Sequence, residues 1–144
     1  MPKSKRSINC VILHCSATGP STTLAAIRKY HKQVNKWSDI GYHIVIENDG
    51  RIGWGRDVNK AGAHCKGHNA SSIGICMVGG TDGSGKRHPF SKEQFKALKI
   101  VLEGLFLTYG KMPIVGHNLY SSKSCPCFDW ETWVKKEGLD VPDD

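Results

Sequence analysis

Hydrophobic and polar positions along the chain follow two periods, one near two and one near 3.6. "INCVILH", residues 8–14, is an apolar run of strand length that stops at His14. In "STTLAAIRKYHKQVNKW", Leu24, Ile27, His31 and Val34 fall on one helical face, with Ser21 or Thr22 as the cap. "YHIVIENDGRIGWGRD" holds two β-rich runs around Asn48-Asp49-Gly50, which predicts a hairpin because glycine accepts positive φ. "SIGICMVGG" is apolar and bounded by glycines, as a central strand would be. "TDGSGKRHPF" reads as a turn-rich loop. Ser91 and Gln94 form a capping-box pattern before a helix striped by Phe95, Leu98, Leu102, Leu105, Phe106 and Tyr109. "MPIVGH" is a further short strand ending at His117, and Asp129 caps a last helix, "WETWVKKEG", closed by Gly138.

The order strand, helix, hairpin, strand, helix, strand, helix predicts an α/β fold. It is expected to be a single domain with a mixed central β-sheet flanked by helices and an active-site cleft at the strand ends. Two predicted strands finish in histidine, and that coincidence points to the cleft.

Composition changes this picture little. A chain of 144 residues, 39% hydrophobic and 23% charged, suits one domain with its own core. No apolar run approaches the length of a membrane span, and the basic start reads as a tail rather than a signal peptide, so synthesis in the cytoplasm is expected. A net charge of +7 calls for an anionic partner. The lysines are scattered and not interleaved with aromatics, so nucleic acid is not the expected one. Cys10 and Cys76 lie in apolar runs, where thiols pack as small hydrophobes.

The chemistry concentrates in "GHNLYSSKSCPCFDW". A catalytic zinc takes three protein ligands and keeps a position open. His14, His117 and a cysteine of "CPC" could supply them, and the residues alone leave Cys125 and Cys127 both open as the sulfur ligand. Two buried thiols without a metal would also fit.

Four segments in this order, "VILHCSAT", "GYHIVIENDGRIGWGRD", "GAHCKGHNASSIGICMVGG" and "GHNLYSSKSCPCFDW", resemble the zinc-dependent N-acetylmuramoyl-L-alanine amidases. That family includes phage lysozymes of the amidase kind and the animal peptidoglycan recognition proteins. The resemblance implies one Zn2+ per chain on His14, His117 and Cys125, since the family's ligand cysteine directly precedes a proline. Cys127 stands where relatives often carry serine or glycine. The implied reaction is hydrolysis of the amide between N-acetylmuramic acid and L-alanine of peptidoglycan. Lys123 and Tyr42 match the family's catalytic lysine and tyrosine, and His64 and Asn69 match a substrate-groove segment. His31 and His43 read as structural, while His68 and His88 receive no role.

The implied layout is a basic tail over residues 1–7, an amidase domain over 8–138 and an acidic tail over 139–144, working as a monomer. As an endolysin it would reach the wall through a membrane pore or on lysis. The rivals are a peptidoglycan-binding module that does not cut, a thiol redox protein using Cys125 and Cys127, and an amidase that also binds an RNA polymerase. Nothing in the tail "MPKSKR" speaks for the polymerase.

Overall fold

The computed structural model describes residues 6–141; most of the basic tail, residues 1–5, and the acidic end, 142–144, lie outside the described residues. Seven strands and three α-helices follow in the order β1 (Cys10–Cys15), α1 (Leu24–Gln33), β2 (Ile44–Ile46), β3 (Ile52–Trp54), β4 (Ser72–Met77), β5 (Gly80–Thr81), β6 (Arg87–His88), α2 (Lys92–Tyr109), β7 (Ile114–Gly116) and α3 (Trp130–Lys136). The main sheet runs β3-β2-β4-β1-β7. Within it β2, β4, β1 and β7 are parallel, and β3 returns antiparallel through the hairpin after β2. This is the mixed sheet expected, with "SIGICM" at its centre as β4.

Period-two alternation decides which helix covers which face. Ile44, Ile46, Ile73, Ile75 and Met77 pack with Leu98, Leu102 and Leu105 of α2 and Val134 of α3. The intervening Val45 and Cys76 turn to the other face and meet Ile27 of α1 and Ile40. Both faces of β4 are therefore dry, and all six of its residues are buried. Truncating Leu98 or Leu102, both wholly buried, would cost about 2–5 kcal/mol.

Local chemistry sets the helix ends. The capping box of α2 forms as expected, with Gln94 N–H donating to Ser91 Oγ and Ser91 N–H donating to Gln94 Oε1. Gln94 does more than the motif requires. Its buried amide also donates to the carbonyls of Ile46 and Val78, tying the helix to two strand ends. Asp129 caps α3, and Gly138 takes the positive φ of 70° that ends it.

Some local expectations are corrected. The cap of α1 is Thr23, whose hydroxyl accepts from Ala26 N–H, and not Ser21 or Thr22. Glu47, just past β2, supplies a carboxylate to the first N–H of the same helix, 2.9 Å away. Val34 follows the last turn and is 60% exposed, so the apolar stripe ends before it. The loop "TDGSGKRHPF" contains the small hairpin β5–β6, held by a 2.8 Å hydrogen bond from His88 Nε2–H to Asp82 Oδ2. At the edges of the domain, Leu139 packs into the core and Arg6 donates to the carbonyls of Val58, Ala70 and Ser72.

Candidate metal centre

Three remote segments converge at the carboxyl ends of β1 and β7. His14 is the fifth residue of β1, beside Cys76 of β4 in register. His117 starts a short 3₁₀ turn directly after β7, and Cys125 follows on the loop before α3. One ligand atom from each of His14, His117 and Cys125 lies within 4.8 Å of the other two. His14 Nδ1 is 3.9 Å from Cys125 Sγ, and the two imidazole centroids are 4.5 Å apart. Cys125 Sγ also accepts the backbone N–H of Cys15 at 3.1 Å. Two imidazoles and one cysteine sulfur brought together are a donor set that zinc takes, so the residue types fit the metal.

Hydrogen-bond direction fixes which nitrogen His14 presents. Ser72 Oγ donates to the carbonyl of His68 at 2.6 Å, because a carbonyl can only accept. With its proton committed, Ser72 Oγ accepts from His64 Nε2 at 3.3 Å. His64 Nδ1 is then the acceptor for His14 Nε2–H at 2.8 Å. His14 Nδ1 is left with its lone pair, facing Cys125. The His64 ring has little room to turn: a Cβ placed on Gly62 or Gly74 would lie 2.5 Å or 2.6 Å from it.

Burial keeps these rings neutral. It holds His14 well below the usual histidine range, helped by the nearby His64 and His117. Burial also lowers His64, to about 3. For His117 burial acts first and the neighbouring Lys123 charge second, in the same direction. Neutral imidazole is the form that ligates a metal. Tyr42 moves the other way: burial, then the thiols of Cys76, Cys125 and Cys15, hold its phenol well above 10. It therefore stays a neutral hydroxyl at ordinary pH.

Two clefts lie near this group: Tyr42 of one has its ring centroid 5.1 Å from that of His14, and His117 lines the other. One, of about 430 Å³, is lined by Ser16, Thr18, Tyr30, His31 and Tyr42. The other, of about 420 Å³, has Trp37, Lys66, Asn69, His117 and Lys123 on its walls.

A family model described as N-acetylmuramoyl-L-alanine amidase matches residues 4–128. The chain belongs to the N-acetylmuramoyl-L-alanine amidase family. The endolysin of Escherichia phage T7 is 38% identical over 144 residues, covering 98% of this chain and 95% of that protein. The endolysin of Enterobacteria phage K11 is 41% identical over 134 residues, covering 91% and 88%. Among solved structures, the amidase LysC of Clostridium intestinale superposes with a TM-score of 0.79 at 28% identity, over 94% of this chain and 88% of that one. The bumblebee peptidoglycan recognition protein SA shares the fold, with a TM-score of 0.80 at 24% identity over 100% and 93% of the two chains.

The structure places the other expected residues of this amidase-family chain unevenly. Tyr42 and Lys123 line different clefts, one in each. His64 lines the second cleft but is only 9% exposed, and both its nitrogens are engaged. Asn69 Oδ1 accepts the N–H groups of His64 and Cys65, shaping the loop that carries His64. Ser72 and Cys15 were not singled out by the sequence. The second of two adjacent serines, opening the apolar run "SIGICM", was the available signal for the first.

Proposed function

We propose that this chain is a zinc-dependent endolysin that hydrolyses the amide between N-acetylmuramic acid and L-alanine of peptidoglycan. The carrying observation is the convergence of His14, His117 and Cys125 within 4.8 Å, with His117 on the wall of a cleft. In this reading the three side chains hold one zinc per chain, which supplies Lewis acidity toward water and the amide carbonyl.

The chain's own residues do the rest. The hydrogen bond from His14 Nε2–H to His64 Nδ1 keeps the His14 lone pair on Nδ1, the atom that would hold the metal. Lys123 places its charge on the His117 side of the group, next to the carbonyl oxygen as negative charge grows there. Tyr42, held neutral, donates its O–H to the substrate from the other cleft rather than serving as base. The Ser72–His68 bond locks the far end of the histidine pair. His64 and Asn69 form the wall of the substrate groove and contribute mostly by holding its shape. Net hydrolysis puts water's oxygen on the lactyl carbonyl carbon, breaks the C–N bond and delivers a proton to the departing alanine amine. The net positive charge suits a wall rich in carboxylates and anionic polymers.

Purified sacculi incubated with the protein and zinc should gain new N-terminal alanine amines, detectable by amine labelling, and a chelator should abolish the gain. Binding to sacculi without amine release, with zinc supplied, would favour the non-cutting module instead.

A further inference from the structure

Two thiols outside the three-residue group face each other. Cys15, the buried last residue of β1, and Cys127, on the loop before α3, have sulfurs 3.5 Å apart although 112 positions separate them in the chain. They meet over Gly80: a Cβ there would lie 2.8 Å from Cys15 Sγ and 3.4 Å from Cys127 Sγ. The glycine leaves the space in which the sulfurs sit. Cys127 is half-buried and borders a cleft of about 350 Å³ with Gly80, Arg87, Phe90 and Phe128. A small thiol reagent can reach it there, whereas Cys15 is 5% exposed.

We propose that Cys15 and Cys127 are a disulfide-forming pair, a dithiol in a reducing compartment and a bridge once the protein meets a disulfide oxidant. The Cys127 thiolate attacks a small-molecule disulfide such as oxidised glutathione, forming a mixed disulfide and releasing one glutathione thiolate. The Cys15 thiol, giving up its proton as it attacks the Cys127 sulfur, then closes the bridge and releases the second glutathione thiolate. The two protons leave to solvent, so two cysteines are oxidised and one glutathione disulfide is reduced. Bridge formation would close the gap from 3.5 Å to a bond of about 2.05 Å.

The bridge would join the first strand to the loop carrying Cys125, two residues from the sulfur that would hold the metal. A protein made in a reducing compartment and acting on the wall outside it crosses from one redox regime to the other. Cys125 is the competing partner, since its sulfur lies on the backbone N–H of Cys15. A metal on Cys125 removes that competition, so metal-loaded protein forms the Cys15–Cys127 bridge alone. Only this selectivity rests on the metal assignment; the sulfur-to-sulfur approach does not.

Full-length, zinc-loaded protein equilibrated in a series of reduced and oxidised glutathione ratios, acid-quenched, denatured and alkylated, tests the pair directly. The expected product carries four alkylated cysteines out of six and a peptide linking Cys15 to Cys127. Its melting temperature should rise by about 10 °C over the reduced form, because the bridge constrains the unfolded chain. Cys127→Ser should keep all its cysteines alkylated at the same ratios and show no shift. Six alkylated cysteines at every ratio, Cys127 held only as a glutathione adduct, or a Cys15–Cys125 bridge in zinc-loaded protein would each overturn the proposal. Because mapping does not use wall hydrolysis, a mapped bridge without amine release would sink the amidase reading and leave the pair standing.

Discussion

His14 and His43 are both 1% exposed and both lie at the sheet, yet their surroundings differ in one decisive respect. His43 has both ring nitrogens committed to backbone: Nδ1 accepts the N–H of Gly74 at 3.1 Å, and Nε2 meets the carbonyl of Lys60 at 2.9 Å. His14 spends only Nε2, on His64, and turns Nδ1 toward a thiol and a second imidazole. Burial by itself therefore says little about a histidine's role. What separates a fastener from a ligand is whether one nitrogen is left facing other donors.

The sharpest way to break this distinction is substitution at both rings. His14→Ala should abolish metal binding and reduce amine release from sacculi by more than about a thousandfold, and His43→Asn should leave metal stoichiometry unchanged. A metal-free His43→Asn protein that is still folded would erase the contrast. Next in size is Lys123→Ala, expected to lower turnover about a hundredfold while metal content stays intact. Loss of metal in that variant would make the lysine structural.

The His14 side of the comparison sharpens further at His64. His64→Phe removes the acceptor for His14 Nε2–H and should weaken zinc affinity about 10–100-fold in a chelator competition. His64→Asn, whose Oδ1 can take the place of Nδ1, should recover most of it. Equal losses in both variants would assign His64 to packing rather than to orienting His14.

The His43 side predicts a pH effect. Burial lowers His43 to about 4, below its unfolded value near 6.5. Between those values the unfolded chain binds more protons, so stability is fully present above about pH 6.5 and is lost as pH falls toward 4. The loss attributable to this ring is about 3 kcal/mol, and denaturant titrations of His43→Asn should show that much less acid destabilisation. An unchanged pH profile would contradict the assignment.

Much of this was readable from residues alone, for physical reasons. The sheet followed from apolar runs and the α2 cap from Ser91 and Gln94, because both signals are local. Strand ends shifted by one residue, with β1 reaching Cys15 and β7 stopping at Gly116, since periodicity does not mark where pairing ceases. Order in sequence brought out His14, His117 and Cys125 through resemblance, but their mutual distance depends on a parallel pairing of β1 with β7 that no local pattern encodes. The roles of Ser72 and Cys15 stayed hidden for the same reason. Each acts only through a partner far along the chain: His14 by way of His64 for the first, and Cys127, 112 positions on, for the second.

Metal analysis of protein purified without added zinc, alongside Cys125→Ser and Cys127→Ser, tests the ligand set most directly. One zinc per chain is expected in the parent protein and in Cys127→Ser, and none in Cys125→Ser. Retention of zinc by Cys125→Ser with its loss from Cys127→Ser would contradict the account.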